Sequence, residues 1–182
     1  MKSSYRRFRQ VGKKQYIDHL SFIENPILMP DIEIKKTIQI PHTDAFDNFL
    51  NNFDLWWPAS YTWSQDKLER IFLGKDVGEL CTEIGPDGFR IDWGRIVEMI
   101  KGKTLSFSWQ ISPKREPVPD ASKASLVKLS FNGMQSDKTE LTLIHDQFGN
   151  HGEGHESFRE AMASDFGWPF LLQRFKLFAE QN

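Results

Sequence analysis

Residues 89–111 read FRIDWGRIVEMIKGKTLSFSWQI, two candidate strands around a tight turn. Apolar and polar residues alternate on both sides of Lys101-Gly102. Phe89, Ile91, Trp93, Val97 and Met99 share one face of the first strand, and Leu105, Phe107, Trp109 and Ile111 share one face of the second. Period-two alternation places each set on one side of a sheet. A curved antiparallel sheet with two large inward aromatics needs cover, either a packed helix or a bound guest.

Upstream of the hairpin the same alternation recurs. Ile32, Ile34, Ile38 and Ile40 alternate with Glu33, Lys35, Thr37 and Gln39, and Pro41 ends that strand. Thr43 or Asp44 can cap a short helix through Leu50, with Ala45, Phe46, Phe49 and Leu50 on its inner face. Phe53, Leu55, Trp56 and Trp57 follow before Pro58. Short strands are expected at 68–73 and 79–84, the latter joined to Phe89 through Gly85-Pro86-Asp87-Gly88.

Downstream, a charged loop with Pro113, Pro117 and Pro119 precedes strands at 125–131 and 139–146, with a turn over 132–138. Gly149, Gly152 and Gly154 form a joint. Phe158, Ala161, Asp165, Trp168, Leu172, Phe175 and Ala179 then follow helical spacing. Pro169 lacks a helix donor and should kink or restart this helix near Gly167. The order is one strand, two short helices, six strands and one long helix. That is an α+β arrangement, with the long helix covering the concave face of an antiparallel sheet.

The 182 residues fit one main domain at 31–182, preceded by a basic extension at 1–30. The extension holds six Lys/Arg against Asp18 and Glu24, a net +4 on a chain whose total is −2, which leaves −6 on the rest. The total of −2 makes no whole-protein case for nucleic-acid binding, and the basic extension reads as an arm that touches an anionic surface, folds back on the acidic body or is simply a solvated terminus. A lone cysteine, Cys81, excludes an internal disulfide and reads as a small buried hydrophobe in a reducing compartment. No apolar run reaches the ~18 residues of a membrane span, and the N-terminus has no apolar signal core, so a cytoplasmic location is the expectation.

Four pieces in order carry a family resemblance. They are Ile38-Gln39-Ile40-Pro41 leading through Ala45-Phe46 to Trp56-Trp57, Gly94–Glu98 followed by Leu105–Trp109, Thr139–His145, and Gly167-Trp168 followed by Leu171-Leu172. Together they resemble the SRPBCC superfamily (START-like, birch-pollen-allergen-like). Within it, the chain resembles the bacterial proteins named for homology to the activator of heat-shock-protein-ninety ATPase. The resemblance spans roughly residues 31–182. It implies a helix-grip fold: a curved sheet of about six to seven strands round a long C-terminal helix, with a cavity between them. It also implies a ligand-binding family of loosely defined function. Fold alone does not assign an activity.

Three polar residues interrupt inward apolar faces: Lys36, Arg95 and His145. If Met99 faces Leu105, Arg95 falls beside Trp109 and can stack on its ring. These groups either anchor a polar part of an apolar ligand or sit at strand ends with ordinary partners. Trp56, Trp57, Trp63, Trp93, Trp109, Phe131, Phe166 and Trp168 are candidate cavity-lining residues, the alternative being plain core. His145, His151 and His155 lie near Asp146, Glu153 and Glu156, but the intervening glycines argue against a metal motif. No nucleophile elbow, phosphate loop or dinucleotide fingerprint is present. The expected function is non-enzymatic binding of a small hydrophobic or amphipathic molecule, lipids among them, without cofactor or metal, by a monomer or homodimer. The other two classes are a chaperone partner and a cavity enzyme of cyclase or hydrolase type.

Overall fold

The computed structural model of the chain describes residues 32–181, so the basic extension at 1–30 lies outside the described residues. Seven strands form one antiparallel sheet. They are β1 (Ile32–Ile38), β2 (Arg70–Phe72), β3 (Leu80–Ile84), β4 (Arg90–Ile100), β5 (Thr104–Trp109), β6 (Ser125–Gln135) and β7 (Lys138–Asp146). Their order is β1-β7-β6-β5-β4-β3-β2, so the first strand pairs with the last and only the short β2 and β1 form edges. Among the described residues, four α-helices accompany them: α1 (His42–Asn51), α2 (Phe53–Trp56), α3 (His155–Ala163) and α4 (Trp168–Ala179). This is the expected α+β arrangement. The short helices follow β1, and the C-terminal helix covers the concave face.

α4 buries Trp168, Leu171, Leu172, Phe175 and Ala179 against the sheet. α1 buries Ala45, Phe46, Phe49 and Leu50, and the rings of Phe49 and Phe175 meet edge to face at 5.0 Å. α1 starts at His42, before either expected cap. The carbonyl of Pro41 accepts the Ala45 N–H, and no side chain caps the helix. Between α3 and α4 the chain breaks at Ser164–Gly167, as Pro169 requires. A Cβ at Gly167 would lie 2.2 Å from the Met162 carbonyl oxygen, so only glycine lets the two helices meet there.

The hairpin of β4 and β5 departs from simple alternation. Met99 does pair with Leu105. However, Ile96 pairs with Phe107 and Glu98 with Ser106, which leaves Val97 as the extra residue of a bulge. A second bulge lies on the β3 side, where Cys81 pairs with Gly94 and Thr82 with Asp92, leaving Trp93 extra. Each bulge flips the in–out phase of the strand. Two flips cancel, so both ends of β4 keep the expected face while the middle does not. Val97, expected inside, is 50% exposed, and Ile96, expected outside, is buried. Phe89 lies before β4 in the turn and is also exposed.

The other differences are boundaries. β6 runs on to Gln135 through a bulge at Gly133–Gln135, so the turn expected over 132–138 shrinks to its tip. β2 is confined to Arg70–Phe72. Cys81 is buried in β3, and burial pushes its thiol up to about 12. Among the described residues, no helix is long and apolar enough to cross a membrane, and no group of three or more metal-binding side chains comes together.

Candidate ligand cavity

A cavity of about 340 Å³ opens between the β2–β5 half of the sheet and the α3–α4 joint. Trp57, Trp93 and Trp109 form its aromatic wall, with Phe158, Met162, Phe166 and Leu171 on the helical side. The three indoles are a packed cluster. Trp93 meets Trp109 at 5.7 Å and Trp57 at 6.5 Å between ring centroids. The bulge at Trp93 places this ring inward beside Gly94. There a Cβ would come within 2.4 Å of the Ser108 carbonyl oxygen, so the strand crossing tolerates only glycine.

The chain has six tryptophans, and their N–H groups divide evenly. Trp56 donates to the Phe49 carbonyl, Trp63 to the Arg115 carbonyl at 2.9 Å, and Trp168 to Nδ1 of His145 at 2.9 Å. The indole N–H groups of Trp57, Trp93 and Trp109 are buried without a hydrogen-bond partner among the described residues. All three of these tryptophans line the cavity. A buried donor left unpaired costs about 1–3 kcal/mol, so three beside one void are a standing demand for acceptors.

Loop 59–67 closes the mouth. Tyr61 donates its hydroxyl to the Phe166 carbonyl at 2.8 Å, tying the loop to the α3–α4 joint. The Trp63–Arg115 bond ties it to the Pro-rich loop on the other lip. Phe166 stands at this rim and is 79% exposed. On β3, Glu83 is fully buried and also lines the cavity; it accepts the backbone N–H groups of Trp63 at 3.1 Å and Ser64 at 2.7 Å. Glu83 was missed in the sequence, although its place in the inward phase with Cys81 is a readable signal.

The remaining candidates lie elsewhere. Trp56 and Phe131 are core residues around Phe49, with no contact to the cavity space. Trp168 lies behind the wall, against Trp57 and Trp109. Arg95 is a correction. The flanking bulges turn it to the convex face, where it pairs with Ser108 and its guanidinium donates to the Gly78 carbonyl instead of stacking on Trp109. Lys36 does face the helix side, and its ammonium donates to Oε1 of Gln173 at 3.3 Å.

His145 is buried behind Trp109 and belongs to a polar chain. Its Nδ1 accepts the Trp168 N–H, so the imidazole proton sits on Nε2 and is donated to Oγ of Ser125 at 2.7 Å. The Ser125 hydroxyl in turn donates to Nε2 of His151 at 2.8 Å. Burial, and then the neighbouring His151, holds His145 well below the ordinary histidine range. His151 is lowered too, by burial and then by His155.

Solved structures share this architecture. An anthrahydroquino-γ-pyrone synthase is 26% identical, superposes with a TM-score of 0.58, and is matched over 82% of this chain and 99% of its own. CalC, a self-sacrificing resistance protein from Micromonospora echinospora, is 21% identical with a TM-score of 0.55, over 82% and 94%. A protein from Nitrosomonas europaea is 13% identical with a TM-score of 0.55, over the same shares. The fold is the helix grip. No protein-family model matches the chain, and no curated protein does.

Proposed function

We propose that this protein binds a planar, largely apolar small molecule carrying hydrogen-bond acceptors, held between the sheet and the α3–α4 joint. The observation that carries the reading is the set of three buried, unpartnered indole N–H groups on the cavity wall. Flat aromatic walls favour a flat guest, and the volume suits a molecule of two or three fused rings. Carbonyl or quinol oxygens on such a guest satisfy these unpaired donors once the indoles shift to meet it, since each N–H is shielded by its neighbours. The similarity to a synthase whose name describes a fused aromatic, oxygenated product supports the same ligand class.

The reading is of a binding module without turnover. Of the lining groups that could act as base or nucleophile, Glu83 accepts the backbone N–H groups of Trp63 and Ser64, Tyr61 donates to the Phe166 carbonyl, and Ser60 is exposed at the mouth, which favours binding over turnover. The test compares 2-acetylnaphthalene with 2-ethylnaphthalene by calorimetric titration. The ketone should bind at least fivefold tighter, because one hydrogen bond to a buried donor is worth about 1 kcal/mol. Equal affinities, or no binding of either compound, would overturn the reading.

A further inference from the structure

We propose that the ligand of this cavity also carries a cationic nitrogen, and that Glu83 is the group that recognises it. The inference rests on the cavity being a ligand site and adds a chemical class to it. Glu83 is the one fully buried acidic side chain among the described residues. It forms no ion pair with any described lysine, arginine or histidine. A buried carboxylate without a countercharge is expensive to hold in a fold. Two backbone N–H groups, of Trp63 and Ser64, offset part of that cost, one at each oxygen. The negative charge that remains is shielded from water and is met by a guest once the surrounding side chains give way.

The surroundings of Glu83 point the same way. The cavity that it lines is walled by Trp57, Tyr61, Trp63, Trp93 and Trp109, whose ring faces are negative. Aromatic faces attract cations, most strongly where water is excluded, and a nearby carboxylate supplies the full charge. The other charged lining residue, Arg115, is exposed at the rim, where water and salt screen it. Glu83 pairs in register with Ile91, two residues along β4 from Trp93, so carboxylate and open indole donors occupy neighbouring strands of one wall. A guest with ring oxygens for the indoles and an ammonium for Glu83 meets both demands. A tertiary or quaternary amine on an aromatic skeleton is the simplest such chemistry.

The test uses the intact chain and three probes at fixed pH: (2-naphthylmethyl)trimethylammonium, neutral 2-acetylnaphthalene, and 2-naphthoate. The cation should bind at least tenfold tighter than the ketone, and naphthoate weakest. Glu83→Gln should reduce the preference for the cation over the ketone from at least tenfold to less than twofold. A ketone that binds as well as the cation would overturn this inference and leave the cavity reading standing. Failure of all three probes would overturn both. A wild-type measurement guards against a variant that does not fold: nuclear Overhauser contacts should join the trimethylammonium protons to the Glu83 side chain. Contacts only to the rim at Phe166 would count against the proposal.

Discussion

Trp168 donates its indole N–H to Nδ1 of His145 across 2.9 Å, and this bond sets the direction of the whole polar chain behind the cavity wall. With Nδ1 occupied as an acceptor, His145 has one proton to give, and Ser125 receives it. Ser125 lies opposite Trp109 in the β5–β6 register, so the chain braces the strand pair that carries the cavity wall. His145→Ala should therefore cost about 3 kcal/mol of stability, from a cavity plus an orphaned indole donor. Ser125→Ala should cost about 1–3 kcal/mol, because the Nε2–H of His145 is left buried and unpaired. Urea unfolding of both variants checks the ranking.

Acid should loosen the same region. Both imidazoles are lowered in the fold, whereas in the unfolded chain histidine titrates near pH ~6.5. As pH falls through that value the unfolded chain takes up protons first, so stability is fully present above it and declines below it. His145 alone contributes a slope of about 1.4 kcal/mol per pH unit while it stays neutral in the fold. The half-buried His151 adds a smaller, water-screened part. Thermal melts from pH 7.5 to 5 should show the decline, and a His145→Gln variant should flatten it.

The bulges of β4 make a sharper prediction than its pattern does. Val97→Asp should change stability by no more than about 0.5 kcal/mol, because the side chain faces water. Ile96→Asp should prevent folding, since it buries an unpaired carboxylate opposite Phe107. Simple alternation predicts the reverse, so circular dichroism of the two variants decides between the registers.

The α3–α4 joint depends on one missing methyl group. Gly167→Ala sets a Cβ against the carbonyls of Ala161 and Met162, and must push the helices apart. Because Gly167 also lines the cavity, the variant should lose about 2 kcal/mol or more of stability and weaken ligand binding together. Parallel melts and titrations measure both.

Much of the fold was legible because its strands keep period two and its last helix keeps 3.6. The expected face of α4, through Trp168, Leu172, Phe175 and Ala179, is the buried one. The middle of β4 was not legible. Gly94 inside a strand was an available sign of the first bulge, but nothing at Val97 marks the second. Arg95 was consequently read on the wrong face. The aromatic candidates were recognisable as inward residues, yet only the fold separates Trp57, Trp93, Trp109 and Phe166 at the cavity from Trp56, Phe131 and Trp168 beneath it. His145 was read beside His151 and His155 as a metal candidate, whereas Ser125, which links His145 to His151, lies 20 residues away and reaches it only through the pairing of β6 with β7.

Trp57, Trp93 and Trp109 hold buried, unpaired donors that a guest with acceptor oxygens would engage. The most direct measurement is an 15N–1H correlation spectrum of the six indole groups, titrated with 2-acetylnaphthalene. The account predicts that the resonances of Trp57, Trp93 and Trp109 include those that move downfield as they gain an acceptor, while the Trp56 and Trp168 N–H groups, already bonded, hold their place. Shifts confined to Trp63 at the mouth, or a spectrum that does not change, would contradict it.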